Sequence, residues 1–347
     1  MNFSRKLAAL LAALVAGAAP ASRAASLGLL ELPADDRSGP VTVFYPAEAA
    51  ALPQERIGIR FDAAPDASPR PGNGRLVVIS HGSGALPWVQ LDLARDLVAA
   101  GFTVAMPIHA GDNAFDMADV GPASWARRPL EVSRAIDRLR ADGRFGALDY
   151  TRVGMYGMSA GGHTALVLAG GQWSPAGLRD HCRAHIDDDF AACAGTVFEL
   201  DGGWLDRFRK VAAVTAIEWR FGDATPRAHA DARIVAIVAG VPYAADFDMA
   251  TLKAPAVPLA LVTAGADRWL APRFHGEAVL AACATCERLL DLPNGGHGAL
   301  LSPLPPKAKG AVARLIADPP AFDRAAEVPR VDRAIVGWFE RRLGVER

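Results

Sequence analysis

After its first two dozen residues the chain has no segment that stays apolar for about 20 residues, the length a helix needs to cross a bilayer, so no retained membrane span is expected. Neither sign of charge prevails. The 37 Lys and Arg balance 38 Asp and Glu for a net −1, and no basic block stands ready to neutralise a run of phosphates, which argues against nucleic acid as a partner. No internal repeat occurs, and low-complexity sequence is confined to the Pro-containing loops 64–74 and 302–306. Cysteine is scarce, at four in 347 residues. Nothing near Cys182 has zinc-ribbon spacing, so neither a metal nor another cofactor is expected. What is there is a chain 51% hydrophobic and 22% charged, enough to build one large core and too apolar to stay disordered.

Residues 1–24 read as an export signal: Arg5 and Lys6 precede an apolar run from Leu7 to Ala19, and Ser22-Arg23-Ala24 puts small residues at the two positions a signal peptidase reads. Cleavage would remove Arg5, Lys6 and Arg23 and leave residues 25–347 near −4. The expected location is therefore the periplasm or the exterior. In an oxidising compartment an even cysteine count reads as disulfides, here two local ones, Cys182 with Cys193 and Cys283 with Cys286. The stretch from Glu277 to Leu290 reads as a helix running into a strand with the last two cysteines inside it, a setting unlike that of a redox C-x-x-C.

From Arg75 onward, short apolar runs alternate with helical patterns, as in crossover units that build a mostly parallel sheet with helices on both faces. The runs are Leu76 to Ser80, Phe102 to Ile108, Val153 to Tyr156, Ile234 to Ala239, Val257 to Thr263 and Leu289 to Leu292. Val132, Ile136 and Leu139 share one helix face, as do Val331, Ile335 and Trp338. Val41 to Pro46 reads as a strand near a sheet edge in an antiparallel N-terminal part, because proline cannot donate to a ladder. The alternation breaks between about 171 and 232, where Trp173, Trp204, Phe208, Trp219 and Phe221 suggest an inserted helical cap roofing an apolar acyl pocket, or an insertion with its own small core.

Chemistry concentrates in Val153-Gly154-Met155-Tyr156-Gly157-Met158-Ser159-Ala160-Gly161-Gly162-His163, a G-x-S-x-G between an apolar strand and a small-residue helix start. A tight strand-to-helix turn leaves no room for side chains two residues either side of the serine, and it projects the Ser159 hydroxyl over a helix N-terminus. That hydroxyl needs a base, and the base an orienting carboxylate. Of eight histidines, His297 in Pro293-Asn294-Gly295-Gly296-His297-Gly298 follows the last strand, as the chain order Ser, acid, His requires. His163 reads as a packing residue. Asp267 lies just past the fifth run, with Asp246 or Asp248 as the competing acid. Oxyanion donors are expected from the backbone N–H of Ser83, in the H-G-x-G turn His81-Gly82-Ser83-Gly84, and of Ala160. His81 reads as a brace for that turn. His109 and Asp112, in Pro107-Ile108-His109-Ala110-Gly111-Asp112-Asn113, should face the site and position substrate or loop; with Trp88 they are the candidate substrate contacts.

Through S-H-G-S-G, H-A-G-D-N, G-M-S-A-G-G and G-G-H-G, the chain from about Val41 to its end resembles the α/β-hydrolase superfamily, and within it exported bacterial proteins described as predicted dienelactone hydrolases, which also look like platelet-activating-factor acetylhydrolases. The resemblance implies Ser159, Asp267 and His297 as a triad with Ser83 and Ala160 as oxyanion donors. Position 159 is serine where dienelactone hydrolases carry cysteine, so serine carboxylic-ester hydrolysis on small or medium acyl groups is the implied activity. A serine peptidase or amidase of the same fold is the alternative, although too few residues precede the sheet for a propeller. A non-catalytic binding protein is a third reading. Activity should rise as the histidine base deprotonates, giving an ascending limb near neutrality.

Overall fold

The computed structural model describes residues 25–195 and 199–345; the segment read as an export signal lies outside the described residues. The chain opens with β1 (Ser26–Leu32), β2 (Val41–Ala47), β3 (Leu52–Arg56) and β4 (Ile59–Pro65). Alternation follows in β5 (Leu76–Ser80), α1 (Leu91–Ala99), β6 (Thr103–Pro107), α2 (Pro122–Ala141), β7 (Val153–Met158) and α3 (Ala160–Leu168). An insertion then adds β8 (Gln172–Trp173), α4 (Pro175–His185), α5 (Phe190–Ala194) and α6 (Asp206–Arg220). The chain returns through β9 (Ile234–Gly240), β10 (Phe247–Asp248), β11 (Leu259–Ala264), α7 (Gly276–Ala282) and β12 (Glu287–Leu292), and closes with α8 (Gly310–Ile316) and α9 (Arg324–Leu343).

Ten strands form one sheet in the order β12-β11-β9-β7-β5-β6-β2-β1-β4-β3. From β12 to β6 every neighbouring pair is parallel. Every residue of β5, β6, β7 and β11 is buried, as expected of parallel strands covered on both faces. One covering layer holds α1 and α9, with Val331, Ile335 and Trp338 against the sheet; the other holds α2 and α3, with Val132, Ile136 and Leu139. No helix among the described residues is long and apolar enough to cross a membrane.

Three expectations need correction. The strand from Val41 is not at an edge, since β2 lies between β6 and β1. Its pairing with β6 stops at Phe44, so Pro46 lies beyond that ladder, where a donor is not required of it. Cys283 and Cys286 form their disulfide in the turn between α7 and β12 rather than inside a helix. Among the described residues the aromatic side chains of the insertion do not gather over one pocket: Trp173 is buried beside Trp125 and His163, while Trp204, Phe208 and Trp219 are exposed. Cys182 and Cys193 pair as expected and tie α4 to α5.

Candidate active site

Ser159 stands at the carboxyl end of β7, in mid-sheet, where the backbone must turn at once into α3. Its φ of 58° and ψ of −117° lie in a region L-residues avoid. The turn persists because its surroundings fix it: Ser159 N–H donates to the Gly240 carbonyl at 3.0 Å, and its own carbonyl accepts from Tyr243 at 3.1 Å. Glycine is mandatory on either side. A Cβ at Gly157 would collide with the Gly161 carbonyl, and one at Gly161 with the Ser80 carbonyl.

The His297 imidazole lies 3.0 Å from Ser159 Oγ through Nε2 and 2.8 Å from Asp267 Oδ2 through Nδ1. A carboxylate only accepts, so Nδ1 carries the proton and the Nε2 lone pair faces the hydroxyl. Asp267 is itself fixed, accepting at Oδ1 from the backbone N–H of Trp269 at 2.8 Å and of Leu270 at 3.0 Å. Arg324 steadies the loop behind His297 by donating to the Gly298 carbonyl at 2.8 Å and the Leu301 carbonyl at 2.5 Å. Among the described residues neither competing acid bonds to His297. Asp246 faces His163 at 3.0 Å, and Asp248 accepts from Ala250 N–H at 3.0 Å.

The turn after β5 runs alongside the serine; a Cβ on Gly82 would sit 3.4 Å from the Ser159 Cβ. Among the described residues, no hydrogen bond occupies the backbone N–H of Ser83 or of Ala160. Beneath this turn lies a fully buried ion pair, Asp112 and Arg128, at 2.9 Å. Asp112 accepts from Gly84 N–H and the Ser83 hydroxyl, each at 3.0 Å, and from the Ser124 hydroxyl at 2.6 Å. Arg128 donates on to the His81 carbonyl at 2.6 Å. Burial works against ionisation of Asp112, but Arg128 and the donors of Ser124, Ser83 and Gly84 outweigh it and hold the carboxyl at about 2. The charge is therefore permanent over any working pH.

His109, Asp112 and Trp88 are therefore buried and do not line the open surface expected of them, and of the two roles read for Asp112 its bonds fit the positioning of the loop at Ser83 and Gly84. His109 is wholly buried between the Ser80 hydroxyl at 2.8 Å and Glu131 at 2.6 Å. Trp88 packs into the core against Phe44 and Phe61, with ring centroids 6.1 and 5.7 Å away. His81 lies where a brace should: Nδ1–H donates to the Gly82 carbonyl at 2.8 Å, and Nε2 accepts from His109 N–H at 3.3 Å. Burial above all pushes both imidazoles well below their ordinary range, followed by Arg128 for His109 and by His109 and then Arg128 for His81, so both are neutral.

Sequence reading missed Ser124, Arg128 and Glu131, although their spacing puts all three on one face of α2, beside the apolar stripe. It also missed Asp189 in the insertion. That carboxylate accepts from His181 at 2.8 Å, His275 at 3.0 Å and Ala271 N–H at 3.1 Å, reaching into the loop that carries Asp267. Burial opposes its charge, yet the two histidines hold its carboxyl well below the ordinary range.

The fold that delivers these groups is that of the α/β-hydrolases. Among solved structures, a ferulic acid esterase from Streptomyces cinnamoneus is similar with a TM-score of 0.57, over 95% of this chain and 95% of that one, at 17% sequence identity. No family model and no curated protein matches the chain.

Proposed function

We propose that this protein is a serine carboxylic-ester hydrolase acting on small or medium acyl esters through an acyl-enzyme. The carrying observation is the unbroken hydrogen-bonded line from Ser159 Oγ through His297 to Asp267, at 3.0 and 2.8 Å, with two unengaged N–H groups beside it. In this reading Ser159 Oγ bonds to the acyl carbon while its proton passes to His297 Nε2. The carbonyl oxygen becomes an oxyanion between the N–H groups of Ser83 and Ala160, each worth roughly 3–4 kcal/mol in the transition state. The imidazolium then protonates the leaving alkoxide. Water, deprotonated by the same nitrogen, releases the carboxylic acid and restores the serine. Asp267 holds the tautomer and offsets the imidazolium charge.

The structural neighbour's description as an esterase supports ester over amide chemistry. Two disulfides support an exported protein, with residues 1–24 as its signal and 25–347 as the hydrolase domain. Its partner is a small-molecule ester, without nucleic acid or a lasting membrane anchor. The deciding experiment is hydrolysis of p-nitrophenyl esters from acetate to palmitate by wild type and Ser159→Ala. Turnover confined to the wild type and strongest on short and medium chains is expected. With no ester turned over, fluorophosphonate labelling of Ser159 would point to an amidase, and absence of labelling to a binding protein.

A further inference from the structure

Helix α6 buries one side, through Ala213 and Ile217, and leaves an apolar stripe on the other. Trp204 is 78% exposed, Phe208 62%, Val211 60% and Trp219 88%. At 100° per residue Phe208, Val211 and Trp219 fall with Thr215 on one face, and Trp204, in the turn that leads into the helix, stands edge-on to Phe208 with centroids 6.0 Å apart. Single exposed apolar residues are ordinary, but a row of aromatic residues along a helix marks a surface with a partner.

The stripe is nearly its own mirror. Turned end for end about the midpoint between Val211 and Ala212, it places Phe208 on Thr215 and Val211 on Ala212, and it brings Trp204, in the turn ahead of the helix, to the end of the partner's helix that carries Trp219. One flank carries Arg207 near its start and Glu218 near its end. In an antiparallel pair of helices equivalent flanks meet, so Arg207 comes within two residues, about 3 Å along the helix, of Glu218 of the partner subunit, a gap its long side chain spans, and the reverse pairing repeats it. A two-fold interface demands this kind of self-complementarity. A lipid surface would favour free cations along both flanks, whereas Lys210 is paired with Asp187 at 2.8 Å and Arg209 with Asp201 and Asp206 at 2.8 and 2.7 Å. Glu218 already accepts from Arg183 at 2.8 Å, and a carboxylate has acceptor sites for a second guanidinium.

We infer that the outer face of α6 is the contact through which two copies of this chain associate about a two-fold axis. Sedimentation of the purified protein should give twice the mass of one chain at micromolar concentration. Trp219→Glu, on a side chain that the fold does not bury, should weaken association at least about 30-fold, as loss of an interfacial tryptophan does. Arg207→Glu and Glu218→Lys should each be monomeric alone and form a heterodimer when mixed, because only the mixture pairs opposite charges at both ends. Every native cysteine is in a disulfide, so Ala212→Cys, next to the axis, should cross-link under mild oxidation while the exposed Ala228→Cys does not. A wild type that stays monomeric at high micromolar concentration overturns the inference, as does a dimer indifferent to Trp219→Glu. Anionic vesicles that capture a monomeric wild type but not Trp219→Glu would overturn it too, assigning the face to lipid.

Discussion

Asp267–His297 and Asp246–His163 are both buried aspartate–histidine pairs near Ser159, with separations of 2.8 and 3.0 Å. His163 sits on α3, one turn past the serine, and its ring is enclosed by Trp125, Trp173 and Phe247 with centroids 4.9, 4.9 and 4.7 Å away. Among the described residues its Nδ1 meets no hydrogen-bond partner, and its Nε2 is spent on Asp246. His297 is held at the end of a loop, so one nitrogen meets the acid and the other reaches the serine. An orienting carboxylate is therefore common to both pairs. What separates the two imidazoles is where the second nitrogen is delivered, to Ser159 Oγ in one and into a cage of aromatic rings in the other.

The contrast can be broken most directly at the histidines. His297→Ala should lower kcat about 10⁶-fold, as loss of a triad base does, while His163→Gln should leave turnover within an order of magnitude; equal losses in steady-state assays would abolish the distinction. At the acids, Asp267→Asn should cost about 10⁴-fold through the wrong tautomer, whereas Asp246→Asn should mainly lower the unfolding temperature. A smaller effect probes the clamp under the oxyanion turn. Asp112→Asn should reduce kcat about 10²- to 10³-fold, the size of losing one oxyanion donor, with KM little changed, and the unpaired Arg128 should cost about 3–5 kcal/mol of stability. Wild-type kcat in that variant would detach the clamp from catalysis.

The mildest test concerns a carboxyl away from the site. Burial, with Asp96 and Asp92 nearby, pushes Asp332 up from 3.8 to about 7. The folded chain thus holds a proton that the unfolded chain releases, so stability falls as pH rises from about 4 to about 7 and levels off above. Asp332→Asn should be more stable than wild type at pH 8, by at most about 4 kcal/mol, with the gap narrowing towards pH 5 in urea titrations.

The buried parallel strands and the Ser, Asp, His order could be read from sequence because each follows a local rule, unbroken apolar runs in one case and glycine-flanked turns in the other. Arg128 and Ser124 could not, since a charge on a helix normally faces water and only the tertiary meeting with Asp112 reveals that it does not. Trp204 and Trp219 misled in the opposite sense: aromatic residues suggest a core, and these face outward. Pro46 reads as an edge signal in the sequence because how far the neighbouring strand extends is a property of pairing, not of the strand itself.

Asp189 carries a consequence for engineering. The insertion between α3 and β9 has the form of a module open to exchange for another selectivity, yet the turn between α4 and α5 lends this carboxylate to Ala271 and His275, four and eight residues beyond Asp267. A graft chosen only for the shape of its helices would leave the Ala271 N–H unanswered and the His275 imidazole held by the Ala244 N–H alone. A transplant that preserves catalysis has to bring an acceptor to that same place.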